Sequence, residues 1–192
     1  MRIFSALYTR VLAWSAHPHA KWYLGGLSFA ESSFFPIPPD VMLAPMTLAR
    51  PDQGMRYALI TTVTSVLGGV AGYLIGFFAF EAVEPLLKDV GYWEHYLRAR
   101  AWFENWGFWA IFIAGFSPIP YKVFTIAAGA LLMNLPLFVL ASVLSRGARF
   151  FLVAGLVMWG GARMEAHMRR HIDTIGWATV VLLVVAYFVI QM

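Results

Sequence analysis

Five charged side chains stand where charge is expensive. Glu31 and Asp40 are the only charges between residues 22 and 49, and Lys122 is the only one between 105 and 145. Arg146 and Arg149 follow, one turn apart and on the same face of any helix that carries them. All five lie in apolar stretches, and a charge at bilayer depth costs on the order of 2.5–3.5 kcal/mol. They therefore need partners or a water-filled cavity. Full pairing of two acids with three bases leaves one positive charge over. That excess suits an anionic phosphate group, which an arginine can grip with two parallel hydrogen bonds. The carboxylates could pair with the bases in an empty site, or take up a proton. A salt-bridge network that only fixes the fold is the plainer alternative, but buried ion pairs are weak stabilisers compared with apolar packing.

The elements that would position these charges are broken by proline. "FFPIPPDVML" at 34–43 carries Pro36, Pro38 and Pro39, and "FSPIPYKVFT" at 116–125 carries Pro118 and Pro120. Proline removes a backbone donor and pushes the preceding residue towards extended conformations, so two prolines two apart predict a turn. The apolar segments 22–49 and 105–133 then become pairs of short helical arms joined by a non-helical tip. Both read as re-entrant hairpins, since irregular backbone at membrane depth is tolerated only where protein or water satisfies it. Asp40 and Lys122 sit at the start of each outgoing arm. An acid there can cap a helix; a cation there calls for a compensating anion.

A shift of 82 residues lays Pro36-Ile37-Pro38 on Pro118-Ile119-Pro120, and Asp40 on Lys122. Each hairpin is followed by a long uninterrupted segment, 57–80 and 135–162. One crossing helix separates the halves, so the hairpins enter from opposite faces. This is an inverted-topology repeat whose tips meet near the midplane, an arrangement typical of secondary transporters.

Composition agrees. The 192 residues are 60% hydrophobic and 12% charged, with a mean hydropathy of +0.69, which predicts an all-α integral membrane protein. Eight Trp, eight Tyr and sixteen Phe fit interfacial anchors, with Trp102, Trp106 and Trp109 as a belt. A scattered net charge of +4 gives no nucleic-acid footprint. There is no cysteine, hence no thiolate metal site or disulfide. His167 and His171 lack the intervening glutamate of a zinc helix, and neither a metal nor a cofactor is expected. No nucleophile and base pair is visible, so an enzyme ranks last. Gly68, Gly72 and Gly76 read as a stripe for close packing of a hairpin arm, with a homo-oligomer contact as the other option.

The chain then divides into a single membrane domain: an amphipathic N-terminal helix over 1–18, repeat 1 over 20–80, an interfacial loop over 81–104, repeat 2 over 105–162, a basic loop over 163–173 and a last transmembrane helix over 174–192. Basic residues gather on the side of 163–173 and acidic ones on the side of 81–104. The positive-inside rule therefore predicts a cytoplasmic N-terminus and an external or periplasmic C-terminus.

With these residues in view, the sequence resembles the DedA family, also called the VTT or SNARE-associated domain. "FSPIPYKVFTIAAGAL" is most similar to its YqaA-type branch, and the likeness covers roughly residues 20–165. The resemblance implies a bacterial inner-membrane protein that moves lipids, as a flippase or scramblase, with undecaprenyl phosphate or phospholipids as substrates and proton coupling as an option. It also implies that the family's acidic pair falls on Glu31 and Asp40. Many members carry Arg-aromatic-x-Pro-x-x-Arg at the second tip. Here Ser117 stands where the first arginine would be, and Lys122 stands one residue short of the second. The expected function is therefore transport of a lipid with a phosphate head group. A coupled small-solute transporter and a non-transporting membrane assembly factor are the alternatives.

Overall fold

The computed structural model describes residues 19–117 and 119–160. The expected amphipathic helix at 1–18, the 163–173 loop with its two histidines, the 174–192 helix and Pro118 lie outside the described residues. Six α-helices fill the rest: α1 (Ala20–Ser33), α2 (Asp40–Ala49), α3 (Gly54–Asp89), α4 (Trp93–Phe116), α5 (Tyr121–Ala130) and α6 (Leu135–Gly160). A single 3-10 turn, Pro51–Gln53, leads into α3. Among the described residues there is no strand.

Among the described residues two helical stretches are long and apolar enough to cross a membrane, Pro51–Asp89 and Leu135–Gly160. Their polarity runs inside out compared with a water-soluble helix. On α3 the face towards the protein carries Thr61, Ser65, Gly68, Gly72 and Gly76, all buried, while Leu59, Val63, Leu67, Leu74 and Phe78 are exposed. On α6, Ser142, Ser145 and Arg146 point inward and Leu140, Leu144, Leu152 and Leu156 outward. Lipid supplies no hydrophobic drive between helices, so small and polar residues make the contacts and large apolar ones face the solvent, here hydrocarbon.

Both broken segments turn back on themselves. Near the start of α1, Leu24 shares a buried cluster with Leu43 and Met46 of α2, Tyr57 and Ala58 of α3 and Phe150 and Ala154 of α6. At the other end, the Tyr96 hydroxyl in the first turn of α4 donates to the Ala130 carbonyl at the end of α5. The arms α1 and α5 lie along successive halves of α3. Ser28 donates to the Thr61 carbonyl and Ser33 to the Gly68 carbonyl. Beyond them, a Cβ on Gly72 would meet Thr125, and one on Gly76 would meet Ile126. The small-residue stripe read from the sequence is therefore the seat of both arms.

One boundary differs from expectation. Residues 81–104 are not a loop: α3 runs on to Asp89 and α4 begins at Trp93. The charges that end the apolar run are good helix formers and pair one turn apart, Lys88 with Glu84 at 2.8 Å and Arg100 with Glu104 at 3.3 Å. The reversal needs only residues 90–92. Gly91, at φ +77, supplies the left-handed step, and the Tyr92 amide donates back to the Leu87 carbonyl to close α3. Asn134 opens α6 by accepting from the Leu137 amide.

Candidate functional site

The first tip forms because α1 runs out of partners at Phe34. The amides of Phe34 and Phe35 both fold back onto the Ala30 carbonyl, and the prolines that follow have no amide to offer. Helix α2 then starts at Asp40, with Pro39 as its N-cap residue. Asp40 makes no capping hydrogen bond. At the second tip α4 ends at Phe116, and Ser117, which precedes a proline, is extended at ψ 163. Helix α5 restarts at Tyr121, which places Lys122 in its first turn.

The two tips enclose one cavity of about 260 Å³. The first contributes Phe35, Pro36, Pro38 and Pro39, the second Ile119 and Pro120. Glu31, Asp40, Lys122, Arg146 and Arg149 all line it, so the five charges scattered over the sequence converge.

Their environments differ. Arg146 is 3% exposed. Its Nη2 donates to Glu31 Oε2 at 2.5 Å and its Nε to Ser65 Oγ at 2.6 Å. Ser65 and Ser32 share a hydrogen bond of 2.7 Å beneath the pair. The guanidinium also lies against two rings, 4.8 Å from the centroid of Tyr121 and 4.7 Å from that of Phe150. Tyr121 is itself held, its hydroxyl donating to Ser142 Oγ at 2.5 Å.

Arg149 is more open. Its Nη2 donates to Asp40 Oδ2 at 2.8 Å, and its Nη1 to the Ser117 carbonyl at 2.7 Å. Asp40 Oδ1 is buried and accepts nothing among the described residues. Each arginine of α6 thus touches both tips, and α6 ties the two halves together at their meeting point. Lys122 makes no ion pair among the described residues. Two acids are matched by two arginines, and the lysine is the charge left over.

The proline and charge pattern did not reveal Ser32, Ser65, Tyr121 and Phe150. Ser65 continues the small-residue stripe one turn before Gly68, which is the one signal that could have flagged it. No group of three or more metal-ligating side chains occurs among the described residues.

The fold and the site define an all-α membrane protein in which two proline-broken segments meet over a charged cavity. The chain belongs to the VTT-domain (DedA) family, whose model matches residues 37–158. Its relatives include an uncharacterized protein of Haemophilus influenzae, 48% identical, and one of Histophilus somni, 42% identical, each aligned over 191 residues and the full length of both chains. A third, an uncharacterized protein of Methanocaldococcus jannaschii, is 27% identical over 127 residues, which is 66% of this chain and 77% of its own. No solved structure matches the chain.

Proposed function

We propose that this protein carries a lipid with a phosphate-bearing head group, such as undecaprenyl phosphate or a phospholipid, across the bilayer. The carrying observation is the charge balance of the cavity: Glu31 with Arg146, Asp40 with Arg149, and Lys122 facing the same space without a carboxylate among the described residues. An unmatched ammonium in a largely apolar cavity is costly until an anion joins it. A phosphate is the anion that a lipid supplies.

The helix lengths support entry from opposite leaflets. Ten residues of α2 or α5 span about 15 Å, half of a roughly 30 Å hydrocarbon core. Both tips lie against the middle of α3, where Gly69 faces Tyr121 and Gly72 faces both Thr125 and the Ser32 carbonyl. In this reading the hairpins are re-entrant, and the head group crosses through the cavity between their tips while its tail stays in lipid. Basic residues near the base of the first hairpin favour the cytoplasm for that side.

The test is movement of fluorescent isoprenyl phosphate and phospholipid between leaflets of liposomes carrying the purified protein. Lys122→Gln is expected to reduce the rate by at least about tenfold, the loss of one charge-assisted contact. Parent-like rates for Lys122→Gln, Glu31→Gln and Asp40→Asn together would sink the reading.

A further inference from the structure

The two ion pairs in the cavity are not equivalent, and the difference assigns Asp40 a role of its own. Arg146 spends its Nε on Ser65 and its Nη2 on Glu31, and its guanidinium lies against the rings of Tyr121 and Phe150. Its pair also lines the cavity but is only 3% and 13% exposed. The Arg149–Asp40 pair, at 19% and 24%, is the more exposed of the two. It is also half-made. Only Oδ2 of the carboxylate is used, while Oδ1 accepts no hydrogen bond among the described residues. The second arm of the guanidinium is spent on the Ser117 carbonyl. Arginine and a phosphate make a two-pronged, charge-assisted contact that is better than this single-pronged one.

Resting on the transport reading above, we infer that Asp40 is a built-in competitor of the head group: its carboxylate occupies Arg149 in the empty cavity and is displaced when a phosphate monoester or diester arrives. Lys122 meets the phosphate first, because it holds no carboxylate among the described residues. The phosphate then takes Arg149, and Asp40 is released. Asp40 is the first residue of α2, a ten-residue arm. Its release uncouples the tip of the first hairpin from α6 and from the second tip, which Arg149 also holds. Loading thereby loosens the contact that keeps the tips together. The competition also weakens binding, because the site is available only in the fraction of molecules whose Asp40 has let go.

Two measurements on the full chain test this. In the first, binding of farnesyl phosphate is compared for the parent and Asp40→Asn, with farnesol and inorganic phosphate as further arms. If the empty site is held by Asp40 about nine times in ten, Asp40→Asn binds farnesyl phosphate about tenfold tighter, while moving the lipid more slowly. Equal or weaker binding by a folded Asp40→Asn protein overturns the inference and leaves the transport reading standing. A parent that binds farnesyl phosphate no better than farnesol overturns both. Binding of inorganic phosphate alone that matches farnesyl phosphate identifies a soluble anion as the ligand, and sinks the lipid reading but not the competition.

The second measurement keeps Asp40 in place. The chain has no cysteine, so spin labels go only to Val41→Cys and Leu152→Cys, positions 50% and 49% exposed. Their separation is expected to widen when farnesyl phosphate is added. A separation that does not change with a saturated site overturns the inference, whatever the fate of the Asp40 variant.

Discussion

Two of the cavity's cations make opposite predictions for stability. Arg146 is buried on Glu31, and removing one partner of such a pair leaves an uncompensated charge, a loss of about 3 kcal/mol. Arg146→Met is therefore expected to lower thermal stability in detergent sharply, and the double variant Glu31→Gln/Arg146→Met to recover more than half of that loss. A double variant as unstable as Arg146→Met alone would show that packing, not charge, was lost. Lys122 has no ion-pair partner among the described residues, so Lys122→Gln should melt no lower than the parent, or slightly higher, while moving lipid at least about tenfold more slowly. The five charges were legible because each stands almost alone in an apolar stretch. Ser65 and Tyr121 were not, because their types are ordinary in such helices. A membrane serine usually bonds back into its own helix, as Ser142 does to the Phe138 carbonyl at 2.7 Å. Only the fold reveals that Ser65 accepts from Arg146 instead.

At the scale of helices, the arms are held by backbone approach rather than by large side chains. A Cβ on Gly68 would run into the Phe29 carbonyl, one on Gly76 into that of Ile126, and one on Gly129 into that of Tyr73. Gly26 and Gly155, also helical, have open space at the same position. Alanine at 68, 76 or 129 is expected to destabilise by about 1–3 kcal/mol through overpacking. Alanine at 26 or 155 should be neutral or gain up to about 1 kcal/mol from helix propensity. Melting curves in one detergent decide it, and a Gly76→Ala protein as stable as Gly26→Ala would refute backbone packing of α5 on α3. The stripe at 68, 72 and 76 could be read from spacing alone. Which helix Gly129 faces could not, since that depends on how the second hairpin folds back. The helical course of 81–104 was missed for a related reason: hydropathy marks where a helix leaves lipid, not where it ends.

For the molecule as a whole, the proline repeat predicts an inverted arrangement, and the contacts put both tips beside the middle of α3. Which ends share a side of the membrane is a separate matter, and it has a direct test. From Gly54 to Asp89, α3 is about 54 Å long at 1.5 Å per residue, well beyond the roughly 30 Å of hydrocarbon. A helix of that length that crosses has its ends on opposite sides. If both proline-broken segments are re-entrant, Lys21 and Asp52 flank one base and Val90 and Leu135 the other. In a chain without native cysteine, Lys21→Cys and Asp52→Cys should react with an impermeant maleimide from one face of sealed vesicles. Val90→Cys and Leu135→Cys should react only from the other. Were the second segment a true crossing, Leu135→Cys would label together with Asp52→Cys, since the chain would have returned to the starting side. That single exchange of partners would remove the opposed tips, because a segment that runs right through the bilayer has no tip to present at its centre. The cavity would then be a kink between ordinary helices, and Lys122 would need another explanation. Labelling of all four positions in the expected pairs leaves the charged tips as the point where the two halves, and the two leaflets, come within reach of one head group.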